Sequence, residues 1–109
     1  MDRRLFLQGA AAGALATATP VLAQAQGEDA KLRALLDRFW DEQIDDNPEG
    51  ATSLGLDVDA RAPLRAKLSD YSAAGRDALF ARPKGRLARL KALDRPKLLA
   101  ASQIDFDVV

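Results

Sequence analysis

Carboxylates and serine hydroxyls are the side chains of this sequence that could do chemistry. An acidic cluster closes a predicted helix, and its members are Asp41, Glu42, Asp45 and Asp46. A calcium site needs oxygen ligands at spaced loop positions around a Gly turn. That spacing is absent, so we interpret the cluster as a solvated helix end, or as one that pairs with groups outside this chain. The serines lack a basic partner, because the chain contains no His.

Metal and cofactor chemistry has no obvious ligands here. Zinc sites use mainly His and Cys ligands, and the sequence contains neither residue. We therefore predict no catalytic residue, no metal ligand and no cofactor-binding residue in this chain.

A basic run with interleaved leucines lies further along the chain. Its members are Lys84, Arg86, Arg89, Lys91, Arg95 and Lys97. Such a run is typical of a helix that binds a membrane surface or phosphate, and also of an ordinary amphipathic helix with a charged outer face. We favour the ordinary helix, because the run is short and has no aromatic anchor. The 16 basic residues balance 16 acidic ones, which does not fit a nucleic-acid binder.

The first residues resemble an export signal. The stretch Arg3-Arg4-Leu5-Phe6-Leu7 has the twin arginine and the Phe-Leu pair that are typical of the bacterial twin-arginine pathway, which exports folded proteins. The residues of this motif are Arg3, Arg4, Phe6 and Leu7. An apolar stretch follows to Leu22, but Ala, Gly and Thr dilute it below the ~20 strongly apolar residues of a membrane span.

Small residues close the predicted signal peptide. Ala23 and Ala25 both suit signal peptidase, and we favour cleavage after Ala25. The chain then divides into a signal peptide, residues 1–25, and a mature part, residues 26–109, which has 84 residues and a net charge of −1. The expected partners are the twin-arginine translocase and signal peptidase, and the expected location is the periplasm or another exported site. A stable membrane anchor is the less favoured alternative.

The mature part reads as all-α. A helix is predicted from Glu28 to Ile44, with acidic residues in its first turn and one apolar stripe. The stripe consists of Leu32, Leu35, Leu36, Phe39, Trp40 and Ile44. We predict that this stripe packs against further helices.

The first helix is predicted to end before Asn47, and a second, short helix is predicted to begin there. Asn47 is predicted to cap a short helix that has Pro48 in its first position, runs to Leu54 and closes at a left-handed Gly55. Residues 57–63 read as a loop.

The pattern over residues 65–94 is again helical, with Ser69 or Ser72 as a cap. Pro83 predicts a kink or break near residues 81–84. A last helix is predicted to begin between Ala100 and Ser102.

The sequence ends on apolar residues, namely Ile104, Phe106, Val108 and Val109. Natural domains seldom finish in this way, which favours a chain truncated after Val109. The alternative is a short protein whose last helix packs inward.

One stretch of the sequence resembles the N-terminal part of the bacterial family known as domain of unknown function 885. It reads Asn47-Pro48-Glu49-Gly50-Ala51-Thr52-Ser53-Leu54-Gly55-Leu56. The matching positions are Asn47, Pro48, Glu49, Ala51, Thr52, Leu54 and Gly55. Three later stretches are similar to the family in the same order, namely 68–72, 87–94 and 105–107. The resemblance spans about residues 28–109, and the chain departs from the family pattern at residues 83–85 and 97–100.

The resemblance implies a larger, mostly helical, exported protein. Members are similar to zinc metallopeptidases of the His-Glu-x-x-His type, and some are regarded as carboxypeptidases. Zinc and a peptide substrate would belong to a full-length relative, because the motif lies outside this chain. The fold class expected is thus all-α, with amphipathic helices that form an incomplete subdomain of a larger helical protein. The alternative is a small, complete, exported helical protein that binds a partner or acts as an adaptor.

Overall fold

The computed structural model describes the backbone of residues 4–109 and the side chains of residues 21–109. Every regular element in this part of the chain is helical, which confirms the all-α class. The elements are α1 (Arg4–Asp46), α2 (Pro48–Ser53), a 3₁₀ helix (Asp59–Ala66), α3 (Ala73–Lys91), a 3₁₀ turn (Arg95–Lys97) and α4 (Ala100–Val108). Within the described residues, no helix is both long enough and apolar enough to cross a membrane.

The chain divides into two units by its internal contacts. The first unit comprises Met1–Leu32 and Leu93–Val109, and the second comprises Arg33–Ala92. The predicted export motif lies outside the described part of the chain, which does not include Arg3 or the side chains of Arg4, Phe6 and Leu7.

Helix α1 contains the helix predicted over residues 28–44, and it begins earlier, at Arg4. Part of the predicted apolar stripe is buried, since Leu32, Phe39 and Ile44 are each less than a tenth exposed. Trp40 is instead 54% exposed. Neighbouring helical residues point about 100° apart, so the side that buries Phe39 leaves Trp40 on the open side.

The turn after α1 is built as predicted. The Asn47 side chain accepts a hydrogen bond from the backbone N–H of Gly50 at 3.0 Å, and Pro48 occupies the start of α2. Gly55 has φ +69°, which is the left-handed conformation that Gly adopts without a steric cost. Helix α2 ends at Ser53, one residue before the predicted end.

Two expectations for the middle of the chain are wrong. Much of the predicted loop at 57–63 belongs to the 3₁₀ helix, because short i→i+3 turns carry no apolar period that a sequence reveals. The helical pattern was predicted from residue 65, but α3 begins only at Ala73, directly after Ser72, which is one of the two predicted caps.

Helix α3 is continuous through Pro83, so the predicted break is absent. Proline at this position removes the hydrogen bond to the carbonyl of Leu79. The last helix begins at Ala100, as predicted.

The second unit has a small apolar core around α2. Ile44, Ala51 and Leu64 form a buried cluster, and Leu56 packs against it. Ala51 is fully buried, so α2 lies close to its neighbours at this residue. The core therefore joins the end of α1, the short helix α2 and the 3₁₀ helix.

Candidate functional site

The family-like stretch 47–56 is stabilised by contacts to the segment that follows it. Thr52 Oγ1 donates a hydrogen bond to Asp57 Oδ2 at 3.0 Å, and Arg65 Nε lies 3.1 Å from the same oxygen. Asp57 is 4% exposed. A buried carboxylate is stable only with such partners, so this contact fixes the chain after Gly55.

Glu49 connects this stretch to the second family-like stretch, residues 68–72. Its carboxylate accepts hydrogen bonds from the Ser69 backbone N–H at 2.9 Å and from the Ser69 hydroxyl. These two donors lower the pKa of Glu49 below its ordinary value, with the hydroxyl contributing most. Ser69 is therefore engaged with Glu49 and does not cap α3.

Ser72 is the cap of α3. Its hydroxyl oxygen accepts a hydrogen bond from the Gly75 N–H at 3.1 Å, and its own N–H donates to Asp70 Oδ1 at 2.9 Å. The Ser72 hydroxyl and N–H lower the pKa of Asp70. A Cβ atom at Gly75 would collide with the Asp70 carbonyl, so the close turn requires glycine here.

Arginines of α3 bind the acidic cluster of α1. Arg89 forms a double hydrogen bond with the Glu42 carboxylate, at 2.7 Å from Nη1 and 2.6 Å from Nη2. Arg86 contacts both Glu42, at 3.3 Å, and Asp46, at 2.9 Å. Arg82 lies 3.4 Å from Asp46. The arginines are four and three residues apart, which places them on one face of α3.

This arrangement stabilises the ionised form of Glu42. The Arg89 hydrogen bonds, followed by those of Arg86, lower the pKa of Glu42 to about 2. The Arg89 guanidinium also lies 4.9 Å from the centroid of the Phe39 ring, which is within cation–π distance. Charge and apolar surface therefore meet at the same point of α1.

The remaining carboxylates of the cluster bind Arg61. The distances are 2.7 Å from Nη2 to Asp41 and 2.9 Å from Nε to Asp45. Both carboxylates raise the pKa of Arg61, with Asp41 contributing most. The cluster is therefore paired within the chain rather than outside it, and its exposed members, Asp41 at 62% and Asp45 at 57%, still lie at a solvated helix end. Sequence reasoning missed these pairs because they join residues up to 47 positions apart.

The basic run is likewise largely engaged within the chain. Arg86 is only 19% exposed, and Arg95 binds Asp107 at 2.7 Å. Arg95 lowers the pKa of the Asp107 carboxyl. Lys97 lies 3.1 Å from Asp94. The run therefore does not form a uniformly charged outer face.

A cleft of about 680 Å³ opens in the second unit, beside the pairs that Arg82 and Arg86 form with Asp46. Leu68, Tyr71 and Leu79 line it and are each more than half exposed. Asp46 and Arg86 supply charge to the lining. The cleft combines apolar surface with charged groups that already bind each other. Among the described residues, no group of three or more His, Cys, Asp or Glu side chains could hold a metal ion.

Two carboxylates of α1 organise the first unit. Glu28 accepts a hydrogen bond from the Asp94 N–H at 3.1 Å, and Asp29 accepts one from the Leu99 N–H at 3.0 Å. Ser102 Oγ donates to Asp29 at 2.9 Å. Their predicted place in a first helical turn is wrong, because α1 begins earlier. Asp29 instead accepts hydrogen bonds at the start of α4, from residues that lie far along the chain.

The predicted processing residues lie just upstream of these carboxylates. Ala23 is exposed and Ala25 is half-buried, and both are within α1.

Comparison of the chain with protein-family models, with curated proteins and with solved structures gave no match. The export signal and the resemblance to the family of domain of unknown function 885 therefore stay predictions.

Proposed function

We propose that this chain is the N-terminal helical part of an exported protein related to the family of domain of unknown function 885. The peptidase activity that the resemblance implies would reside in residues outside these 109, since the chain contains no His. Zinc and a peptide substrate would bind there. The role of the present residues is structural.

The contact between Glu49 and Ser69 carries this proposal. The two residues belong to separate family-like stretches and lie 20 positions apart. If the motif residues have a structural role, we expect residues of the two stretches to form hydrogen bonds with each other, as Ser69 does with the Glu49 carboxylate. Asn47 and Gly55 support the same interpretation, because each has a local role at an end of α2.

Sequencing the gene through its natural stop codon tests the peptidase part of the proposal. A reading frame that continues past Val109 and encodes His-Glu-x-x-His would support it. A frame that lacks this motif would contradict it.

Export is tested separately by replacing Arg3 and Arg4 with Lys. We expect the altered precursor to stay in the cytoplasm, because the twin-arginine pathway requires the arginine pair. The matched control replaces Arg33 and Arg38, which are exposed on α1, and it should be exported normally. Continued export of the Arg3 and Arg4 variant would refute the assignment of this protein to the twin-arginine pathway.

The second candidate is a small exported helical protein that binds a partner or acts as an adaptor. The cleft favours it, because Leu68 and Tyr71 are 80% and 74% exposed beside charged groups. A verified stop codon directly after Val109 would support this candidate and would remove the enzymatic one.

A further inference from the structure

Long-range hydrogen bonds from the side chains of α1 begin at a sharply defined point. Among the described side chains, Glu28 and Asp29 are the first that bind residues far along the chain. They are 9% and 5% exposed. Glu28 binds a backbone group 66 positions away, and Asp29 binds groups 70 and 73 positions away.

The segment immediately before these carboxylates is open to solvent. Val21 is 65% exposed and Leu22 is 55% exposed. The exposed residues continue at Ala23, Gln24, Gln26 and Gly27, whereas Ala25 is half-buried. The boundary between the exposed part of α1 and the part that Glu28 and Asp29 attach to the rest of the first unit thus falls within a few residues of both predicted cleavage bonds.

A peptidase acts on chain that can open locally, and local opening is easiest where few contacts must break. Cleavage after Ala25 would place Glu28 and Asp29 third and fourth past the bond. Extending the chain there would pull on the hydrogen bonds to Leu99 and Ser102. Cleavage after Ala23 places the two carboxylates fifth and sixth past the bond, which leaves the open segment between the enzyme and the fold.

We propose that the folded precursor is cleaved between Ala23 and Gln24, because the anchored Glu28 and Asp29 protect the bond after Ala25. This inference rests on the proposed export of the chain in folded form. It reverses the preference for Ala25 that the sequence alone suggests. Water adds across the amide: Ala23 gains the oxygen and becomes a carboxylate, and the Gln24 nitrogen gains both protons of the water and becomes an α-ammonium group.

The test uses the full-length precursor and a purified bacterial signal peptidase in detergent. Mass spectrometry of the large product identifies its first residue. A product that begins at Gln24 is expected. A product that begins at Gln26, or a precursor that resists cleavage, would overturn the proposal. Because no translocation step takes part, failure of the export pathway leaves this result readable, and export itself is read from the Arg3 and Arg4 variant in cells.

Two matched variants assign the bond independently. Val21→Phe places a large side chain three residues before the bond after Ala23, where the peptidase needs a small one, and should abolish the product beginning at Gln24. Ala25→Leu blocks only the alternative bond and should leave that product unchanged. Loss of the product in Ala25→Leu, with retention in Val21→Phe, would contradict the assignment.

A third variant tests the protecting role of the anchor. Asp29→Ala removes the acceptor for Leu99 and Ser102, so part of the product should shift to Gln26. An Asp29→Ala chain that fails to fold carries the same expectation, because the protection is lost by either route. Glu49→Ala is the control, since its carboxylate binds Ser69 in the other unit. An unchanged first residue in the Asp29 variant would refute protection by the fold.

Discussion

Replacing Ala51 by Leu should destabilise the second unit, because Ala51 is fully enclosed in the apolar core of that unit. Its side chain is 0% exposed and lies in the cluster with Ile44 and Leu64. Leucine adds three heavy atoms to this enclosed position. Extra methylene groups in a packed core typically cost ~1–3 kcal/mol through shifted side chains and backbone. At a slope of ~1 kcal/mol per molar urea for a small domain, the unfolding midpoint should fall by ~1–3 M.

The assay is urea unfolding of the chain followed by far-UV circular dichroism. Leu54→Ala is the matched control, because Leu54 lies three residues further on in the same family-like stretch and is 62% exposed. Its free energy of unfolding should stay within ~0.5 kcal/mol of the parent. An Ala51→Leu midpoint equal to that of the parent, or an equal loss in the Leu54 variant, would refute the packing argument.

Two further predictions concern glycine and pH. Gly55→Ala should lower the free energy of unfolding by ~1 kcal/mol, because a left-handed φ is unfavourable for Ala. Gly85 lies inside α3 with nothing near its Cβ position, so Gly85→Ala should raise the free energy of unfolding by ~0.5–1 kcal/mol. Urea midpoints that shift in the same direction in both variants would contradict this contrast. Glu42 has a pKa lowered from 4.5 to about 2, so its stabilising effect is present above pH 4.5 and disappears as the pH falls towards 2. The thermal midpoint should therefore fall less steeply over this range in Glu42→Gln than in the parent, while the exposed Asp37→Asn should behave as the parent; equal slopes in all three chains would count against the Arg89 pairing.

Local chemistry made part of the fold predictable from the sequence. The cap at Asn47, the position of Pro48 and the left-handed Gly55 depend on a few adjacent residues, so short-range patterns were enough to identify each of them. The continuous α3 was not predictable in this way, because whether Pro83 breaks a helix depends on what replaces its missing hydrogen bond.

The candidate site was less predictable because it depends on pairing. The acidic residues of α1 and the arginines of α3 are both visible in the sequence, but neither group identifies the other as its partner. Arg86 meets Glu42 across 44 positions of sequence, and no local pattern specifies such a pair. The same holds for Asp29, whose neighbours suggest a first-turn carboxylate although its partners lie near the far end of the chain.

Trp40 gives the protein an unusual optical property. It is the only tryptophan in the chain, and it is 54% exposed in the folded state. Its indole ring therefore already meets water before unfolding, so tryptophan emission changes little when the core around Ala51 opens. The same exposure makes Trp40 a reporter of association, because any partner that covers this face of α1 would shift its emission to shorter wavelength.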